Sequence, residues 1–384
     1  MSRPRALLAS MAVVLLAATG SATAVAGTPG VDQLSEPGAR AASNPVPFLA
    51  YYYIWFDRTS WDRAKSDFPS LGRYSSDDPD VMRQHIRWAK AAGITGFIVS
   101  WKNTPTLDRR LEQLMQVATQ EKFKLAIIYQ GLDFSRKPLP AARVAADLLY
   151  FQQFYASKPV YRIFEKPLVL FSGTWAYTDA EVKSVTANLR QALLVLATEK
   201  NVKGYQRIQA LVDGNAYYWS SVNPETFPDY QGKLNDLAAA VHASGGLWIA
   251  PAAPGFNGTL LGGVSVVERK DGETLRREVA AAVQSGPDAV GLISWNEFSE
   301  NSYLEPSHLY GQRYLQVLGD IQHLPAPAVD LLGSTGDESP AGTTPPPGSD
   351  VGRLIALALL VASLAVAPVV LARRARRARR PMES

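Results

Sequence analysis

Through the middle of this chain, short apolar runs rich in β-branched and aromatic residues alternate with longer stretches whose apolar positions recur every three to four residues. The short runs predict strands at 47–53, 96–100, 125–129, 167–171, 193–197, 215–219, 247–251 and 289–295. The longer ones predict helices at 79–92, 107–121, 141–156, 179–191, 230–243, 272–285 and 309–321. Such alternation is the signature of βα units around a parallel sheet. Eight strands in a body of about 280 residues fit a (β/α)8 TIM barrel, which needs roughly 250 residues plus insertions. The segment 193–197 also reads as an extension of the helix before it. A doubly wound open sheet is the competing architecture, but no glycine-rich phosphate turn follows the first strand.

The pattern breaks at both ends. Arg3 and Arg5 precede an apolar run from Ala6 to Ala18, and small residues follow at 22–26, which reads as a signal peptide over 1–26. The run is too short to cross a bilayer, which takes about 20 residues. Residues 27–44 are small, polar and aperiodic, a flexible lead-in to the body at 45–324. Residues 325–350 are rich in Pro, Gly, Ser and Thr and read as a linker that cannot bury a core. From Leu354 to Ala372 the chain is apolar but for Ser363 and Pro368, and six arginines follow between Arg373 and Arg380. We read 351–372 as a single transmembrane helix. The basic tail at 373–384 is then cytoplasmic and the body extracellular.

These ends change the meaning of the charge. The whole chain carries 39 basic and 35 acidic side chains. Setting aside Arg3, Arg5, Arg353, the six tail arginines and Glu383 leaves 30 against 34, so the exported part is mildly acidic. No clustered basic face points to nucleic acid. The absence of cysteine excludes thiol catalysis and cysteine metal sites.

In barrels of this kind the chemistry sits on loops after the C-terminal ends of the strands. Aromatic, amide and carboxylate side chains dominate those positions here. Sugar rings have apolar faces and hydroxyl edges, so flat aromatic platforms beside polar groups suit them. Tyr53, Trp55, Trp101, Tyr217 and Trp219 are the expected platforms, with Tyr218 the alternative to Tyr217. Asn296 and Glu305 are expected to bind or orient the sugar. Aromatics are also common in strands as packing, and alternate members of the run 51–53 must point to opposite faces.

Cleaving a glycosidic bond takes one carboxylic acid to protonate the leaving oxygen and a second carboxylate to stabilise, attack or deprotonate on the other side. Glu297 and Glu300, just past the last strand, are the candidate pair. If the chain turns helically there, residues three apart share a face with β-carbons about 5 to 6 Å apart. That favours the retaining spacing of about 5 to 5.5 Å between carboxyls. No histidine adjoins a predicted strand end: His85 and His242 fall within helices, His308 begins one and His323 stands at the linker. A Ser-His-Asp triad is therefore not expected, and neither a metal nor another cofactor. The expected partners are a polysaccharide or glycan and, through the C-terminal helix, the membrane, with the chain a monomer.

The segments 51–56 (YYYIWF), 71–78 (LGRYSSDD), 91–101 (AAGITGFIVSW) and 293–306 (ISWNEFSENSYLEP) resemble glycoside hydrolase family 99 and its family 71/99-like relatives. The resemblance spans most of the body, and Trp-Asn-Glu-x-x-Glu followed by Leu-Glu-Pro is its most specific part. It implies a (β/α)8 barrel and an endo-acting α-mannosidase or α-mannanase that retains anomeric configuration without an enzyme nucleophile. In that scheme Glu297 deprotonates the sugar's own 2-hydroxyl, which closes a 1,2-anhydro ring, and Glu300 protonates the departing oxygen and later activates water. Phe298-Ser299 and Asn301-Ser302 stand where the family usually carries Trp-His and Gly-Thr. This departure bears on the sugar accepted more than on the reaction, and it leaves a family 71-like α-glucanase as an alternative. A catalytically silent glycan-binding protein on the same barrel is the alternative from a different class.

Overall fold

The structure, a computed structural model, describes residues 45–133 and 135–324. The expected signal peptide, lead-in, linker, transmembrane helix and basic tail lie outside the described residues. Among the described residues no helix is long and apolar enough to cross a membrane.

Eight parallel strands close into a barrel: β1 (Phe48–Tyr53), β2 (Gly96–Trp101), β3 (Lys124–Gln130), β4 (Leu168–Ser172), β5 (Leu194–Ala197), β6 (Gly214–Ala216), β7 (Leu247–Ala252) and β8 (Ala289–Leu292). Each pairs with its neighbours in sequence, and β1 pairs with β8 through Phe48↔Val290, Leu49↔Gly291 and Ala50↔Leu292. The ambiguous segment at 193–197 is thus a strand. Two predicted strands are shorter than expected. The sixth ends at Ala216, and the eighth ends at Leu292, so that Ile293 to Glu300 form a loop. Gly214 opens β6 at φ +147, where an added β-carbon would lie 2.1 Å from the Leu247 carbonyl oxygen; only glycine fits that approach.

Eight helices wrap the barrel: α1 (Pro79–Ala91), α2 (Pro105–Gln120), α3 (Ala141–Phe154), α4 (Asp179–Thr186), α5 (Val202–Ile208), α6 (Tyr230–Ala243), α7 (Glu273–Gln284) and α8 (Arg313–Ile321). The differences from expectation are local. Thr104 caps α2 ahead of Pro105, which starts that helix two residues early. The chain at 307–311 closes an isolated bridge with Gly311 at positive φ, so α8 starts at Arg313 rather than 309. The unpredicted α5 is short and carries a glycine, which left its period weak.

Strand alternation sorts the aromatics. Leu49, Tyr51, Ile98, Ile128, Leu170, Leu196, Ala216 and Ile249 form the core enclosed by the barrel. Residues of the other parity, including Tyr52, Phe97, Trp101, Tyr129 and Tyr217, belong to the larger core shared with the helices. By the same alternation Tyr53 and Tyr218 continue the inward rows of β1 and β6 at the rim where the strands end.

Candidate active site

The loop after β8 is built to hold its carboxylates in place. The Trp295 amide donates to the Tyr51 carbonyl at 2.7 Å, and Leu304 and Glu305 return their amides to the Trp295 carbonyl at 3.0 and 2.8 Å. Ser302 donates to the Glu297 carbonyl at 3.3 Å, closing a tight turn around 298–301 rather than the helical turn that the spacing suggested. Asn301 takes φ +55 in that turn. It occupies a family glycine position in the resemblance, and asparagine is among the non-glycine residues that best tolerate the left-handed region. Phe298 is fully buried, stacks on Tyr303 at 4.0 Å between centroids and meets Trp61 edge-on, so this departure is absorbed in packing behind the loop. Arg269 braces the turn from outside, donating to the Asn301 and Tyr303 carbonyls at 2.9 Å each beneath Tyr303, Tyr310 and Tyr314. A two-stranded ribbon, Phe256–Asn257 against Val266–Val267, adds the Asn257 amide, which donates to the Glu300 carbonyl at 2.8 Å.

Glu297 is buried and Glu300 half-buried at the rim of the barrel. Their environments differ. Burial pushes the Glu297 carboxyl up to about 7, against the opposing pull of the Ser299 amide, which donates to its Oε1 at 3.0 Å, and of the Lys65 ammonium. Burial also pushes Glu300 up, and the neighbouring Glu297 adds to it, to about 8, with Arg136 acting the other way. The two carboxyls therefore sense each other, and each faces its own cation.

Tyr53 and Tyr218 share a hydroxyl–hydroxyl hydrogen bond beside this pair. Burial first, then the charges of their neighbours including both glutamates, raises both phenols, so they remain protonated donors. Tyr51 packs its ring 4.4 Å from that of Tyr218 beneath them. Trp55 stacks on Tyr53 at 4.3 Å and stays 38% exposed, leaving a face for a ligand.

Four expected sugar contacts are placed differently. Trp101 has no exposure, lies on the outward parity of β2 and packs against Tyr129 and Phe151 in the helix layer. Tyr217 is likewise outward and buried, with Lys233 over its ring, so Tyr218 is the aromatic of that pair that faces the carboxylates. Asn296 is fully buried and clasps the Tyr53 backbone. Glu305 is buried between Tyr74, whose hydroxyl donates at 2.9 Å, and His85, whose Nε2 lies at 3.0 Å; Nδ1 of the same ring meets the Tyr52 hydroxyl at 3.0 Å. Asn296 and Glu305 thus brace the site from behind. Trp219 is half-buried and carries the Lys200 ammonium 4.6 Å from its ring centre.

Sequence reasoning missed Lys65, Arg136, Tyr74 and His85. The first two are ordinary loop cations with no motif around them. His85 sits within α1, as expected, yet its side chain reaches β1, which no local pattern signals. Among the described residues no three His, Asp or Glu side chains converge as metal ligands.

The model of Glycosyl hydrolase family 99 matches residues 55–318. The chain is 21% identical over 269 residues to glycoprotein endo-alpha-1,2-mannosidase of Rattus norvegicus, an alignment covering 64% of this chain and 57% of that protein. It is 22% identical over 284 residues to glycoprotein endo-alpha-1,2-mannosidase-like protein of Homo sapiens, covering 65% and 60%. The chain thus spans about three-fifths of the curated relatives it matches. Among solved structures it resembles the GH99 endo-alpha-mannosidase of Bacteroides thetaiotaomicron, with TM-score 0.64 at 19% identity over 73% of this chain and 98% of that one. That likeness is one of fold: the same barrel.

Proposed function

This chain belongs to glycosyl hydrolase family 99, and on that footing we propose that it is a retaining endo-α-glycosidase of the α-mannosidase or α-mannanase type. The observation that carries this reading is the unequal pair at the rim. Glu297 has a backbone amide and Lys65 to favour its ionised form, whereas Glu300 has the neighbouring Glu297, acting against Arg136, to favour its protonated form. One proton on two such carboxyls near neutrality supplies a base and an acid at once.

In the proposed first step, ionised Glu297 takes the proton of the substrate's 2-hydroxyl. That oxygen attacks the anomeric carbon, and the glycosidic oxygen leaves with the proton of Glu300, giving a 1,2-anhydro sugar. In the second step Glu300, now ionised, takes a proton from water as the water opens the ring, and Glu297 returns its proton to the 2-oxygen. Two inversions retain the anomeric configuration. Each general acid or base contribution is worth about 10²- to 10⁴-fold. Tyr53 and Tyr218 are placed to hold sugar hydroxyls by donation, and Trp55 to cover an apolar face. We further propose that the enzyme is a monomer that acts outside the cell, held to the membrane by the apolar segment 351–372.

The test is incubation of the purified chain with α-mannans and α-glucans, following released oligosaccharides and their anomeric form by NMR. α-Anomeric product from an α-mannan supports the proposal. Product from α-glucan alone would move the substrate to the family 71-like alternative. Binding without any released oligosaccharide favours the silent glycan-binding protein and overturns the enzyme reading.

A further inference from the structure

Loops on the rim, after β3, β5 and β6, lead to cations that form no close ion pair among the described residues. Lys200, three residues past β5, lays its ammonium 3.5 Å from the ring centre of Trp175 in the loop after β4 and 4.6 Å from that of Trp219 in the loop after β6. Lys233, in the first turn of α6, lies 4.7 Å from the ring centre of Tyr217 and 4.9 Å from that of Phe227. Arg136, in the loop after β3, faces Glu300 and Tyr218. Trp219 and Tyr217, two residues apart, bring Lys200 and Lys233 to one loop. Burial first, then the charge of Arg136, holds Lys200 below the usual lysine range, Glu199 acts the other way, and Lys233 adds a smaller lowering effect.

The nearby acids are engaged elsewhere. Glu199 adjoins Lys200 and attracts it, but its carboxylate makes its hydrogen bond to Arg207, at 3.4 Å. Glu225 is taken by Lys270 and Arg277. Asp133 accepts from the backbone amides of Ser135 and Lys137. Three half-buried like charges on one rim repel one another, and desolvation strengthens that repulsion. The ring contacts hold Lys200 and Lys233 in place, which removes part of the rotamer entropy that a free lysine loses on binding. They also occupy one face of each indole, so Trp175 and Trp219 serve as holders of an ammonium.

We propose that this rim is a subsite for an oxyanion carried by the glycan, a phosphate or carboxylate substituent on a sugar bound on the Glu300 side of the cleavage point. Lys200 is its anchor, and Arg136 and Lys233 flank it. The proposal rests on the glycosidase reading, because Glu300 as proton donor defines the leaving-group side. An anionic substituent there adds a direct ion pair to cations that otherwise feel Glu300 and Glu199 only at a distance, and a neutral chain adds none.

The experiment is calorimetric titration of the full chain with three forms of one α-mannan oligosaccharide: neutral, phosphorylated, and oxidised at C6 to a uronate. At about 50 mM NaCl at least one anionic form is expected to bind about tenfold or more tighter than the neutral form, and at about 500 mM the advantage shrinks as surface charges are screened. Which anionic form gains identifies the group. Lys200→Met is expected to remove most of the advantage and Lys233→Met part of it; Lys200→Gln and the salt series decide the matter if Lys200→Met does not fold. Equal affinities for all three forms overturn the subsite, as does no binding of any form or an advantage that survives Lys200→Met. Anion-dependent binding that Lys200→Met removes, with no oligosaccharide released in the NMR assay, keeps the anion site and overturns the glycosidase reading together with the leaving-group assignment.

Discussion

The side-chain amide of Asn296 closes on the backbone of Tyr53 from both sides: Oδ1 accepts from its N–H at 2.9 Å, and Nδ2 donates to its carbonyl at 3.0 Å. This clasp extends the seam between β1 and β8 past its last ladder pair and fixes where Tyr53 leaves the strand. Nδ2 also donates to the Tyr74 hydroxyl at 3.3 Å, which ties the clasp to Glu305 and His85. Asn296→Ala leaves two buried backbone groups unpaired at about 1–3 kcal/mol each. The expected result is a melting temperature lower by about 5–15 °C for a domain of this size, with weaker glycan binding because Tyr53 moves. Thermal unfolding followed by circular dichroism, beside a glycan titration, checks both.

Glu297→Gln and Glu300→Gln are each expected to cut kcat on an α-mannan by about 10²- to 10⁴-fold while the fold is kept. Both carboxyls are raised in the folded state, so each native glutamate weakens stability as pH rises from its unfolded value through its folded one. At pH 8 the glutamine variants should therefore melt at or above the parent temperature. A lower melting temperature for both would count against the burial argument.

The rate is expected to be bell-shaped in pH. It rises as Glu297 ionises, through about 7, and falls as Glu300 loses its proton, through about 8. Lys65 favours ionised Glu297 and Arg136 favours ionised Glu300, so Lys65→Gln should shift the acid limb upward and Arg136→Gln the alkaline limb upward. Profiles of kcat/KM against pH, which report the free enzyme, decide this; limbs unmoved in both variants would remove the two cations from the electrostatic account.

Glu278 on α7 is a buried carboxyl far from this pair in sequence. Its Oε2 accepts from the Ala253 amide at 2.7 Å, and burial pushes it well above the usual carboxylate range despite that bond. A raised carboxyl contributes fully below its unfolded value, near 4.3, and its contribution is lost as pH rises through the folded one. Glu278→Gln keeps the shape without the titration. It should raise the melting temperature by a few degrees at pH 8 and make little difference at pH 4, as differential scanning calorimetry would show.

Trp101→Ala opens a cavity in the helix layer and is expected to cost about 3–5 kcal/mol with little change in the pH profile. Tyr218→Phe removes only a hydroxyl facing the carboxylates. Because it leaves the buried Tyr53 hydroxyl without this partner, it should cost about 1–3 kcal/mol, less than Trp101→Ala, and weaken glycan binding, a contrast that paired melting and titration curves would reveal.

The alternation of apolar runs and amphipathic stretches made the barrel legible along the chain, with only the strand at 193–197 ambiguous, because a parallel sheet buried on both faces requires such runs and its crossovers require helices. The sequence also singled out Glu297 and Glu300, since a motif just past the last strand is visible without any partner. Even the departures at Asn301 and Phe298 were legible as residues, although how the loop accommodates them was not, because that depends on a positive φ and on the rings of Trp61 and Tyr303. Direction and company emerged only in the folded chain. A strand apolar on both faces gives no alternation from which to read parity, so Trp101 and Tyr217 could not be told from Tyr53 and Tyr218. Asn296 and Glu305 looked like sugar contacts because their partners, the Tyr53 backbone, Tyr74 and His85, lie up to 243 residues away. Lys65, Arg136 and Lys200 belong to loops after different strands, and only closure of the barrel brings their charges to one rim.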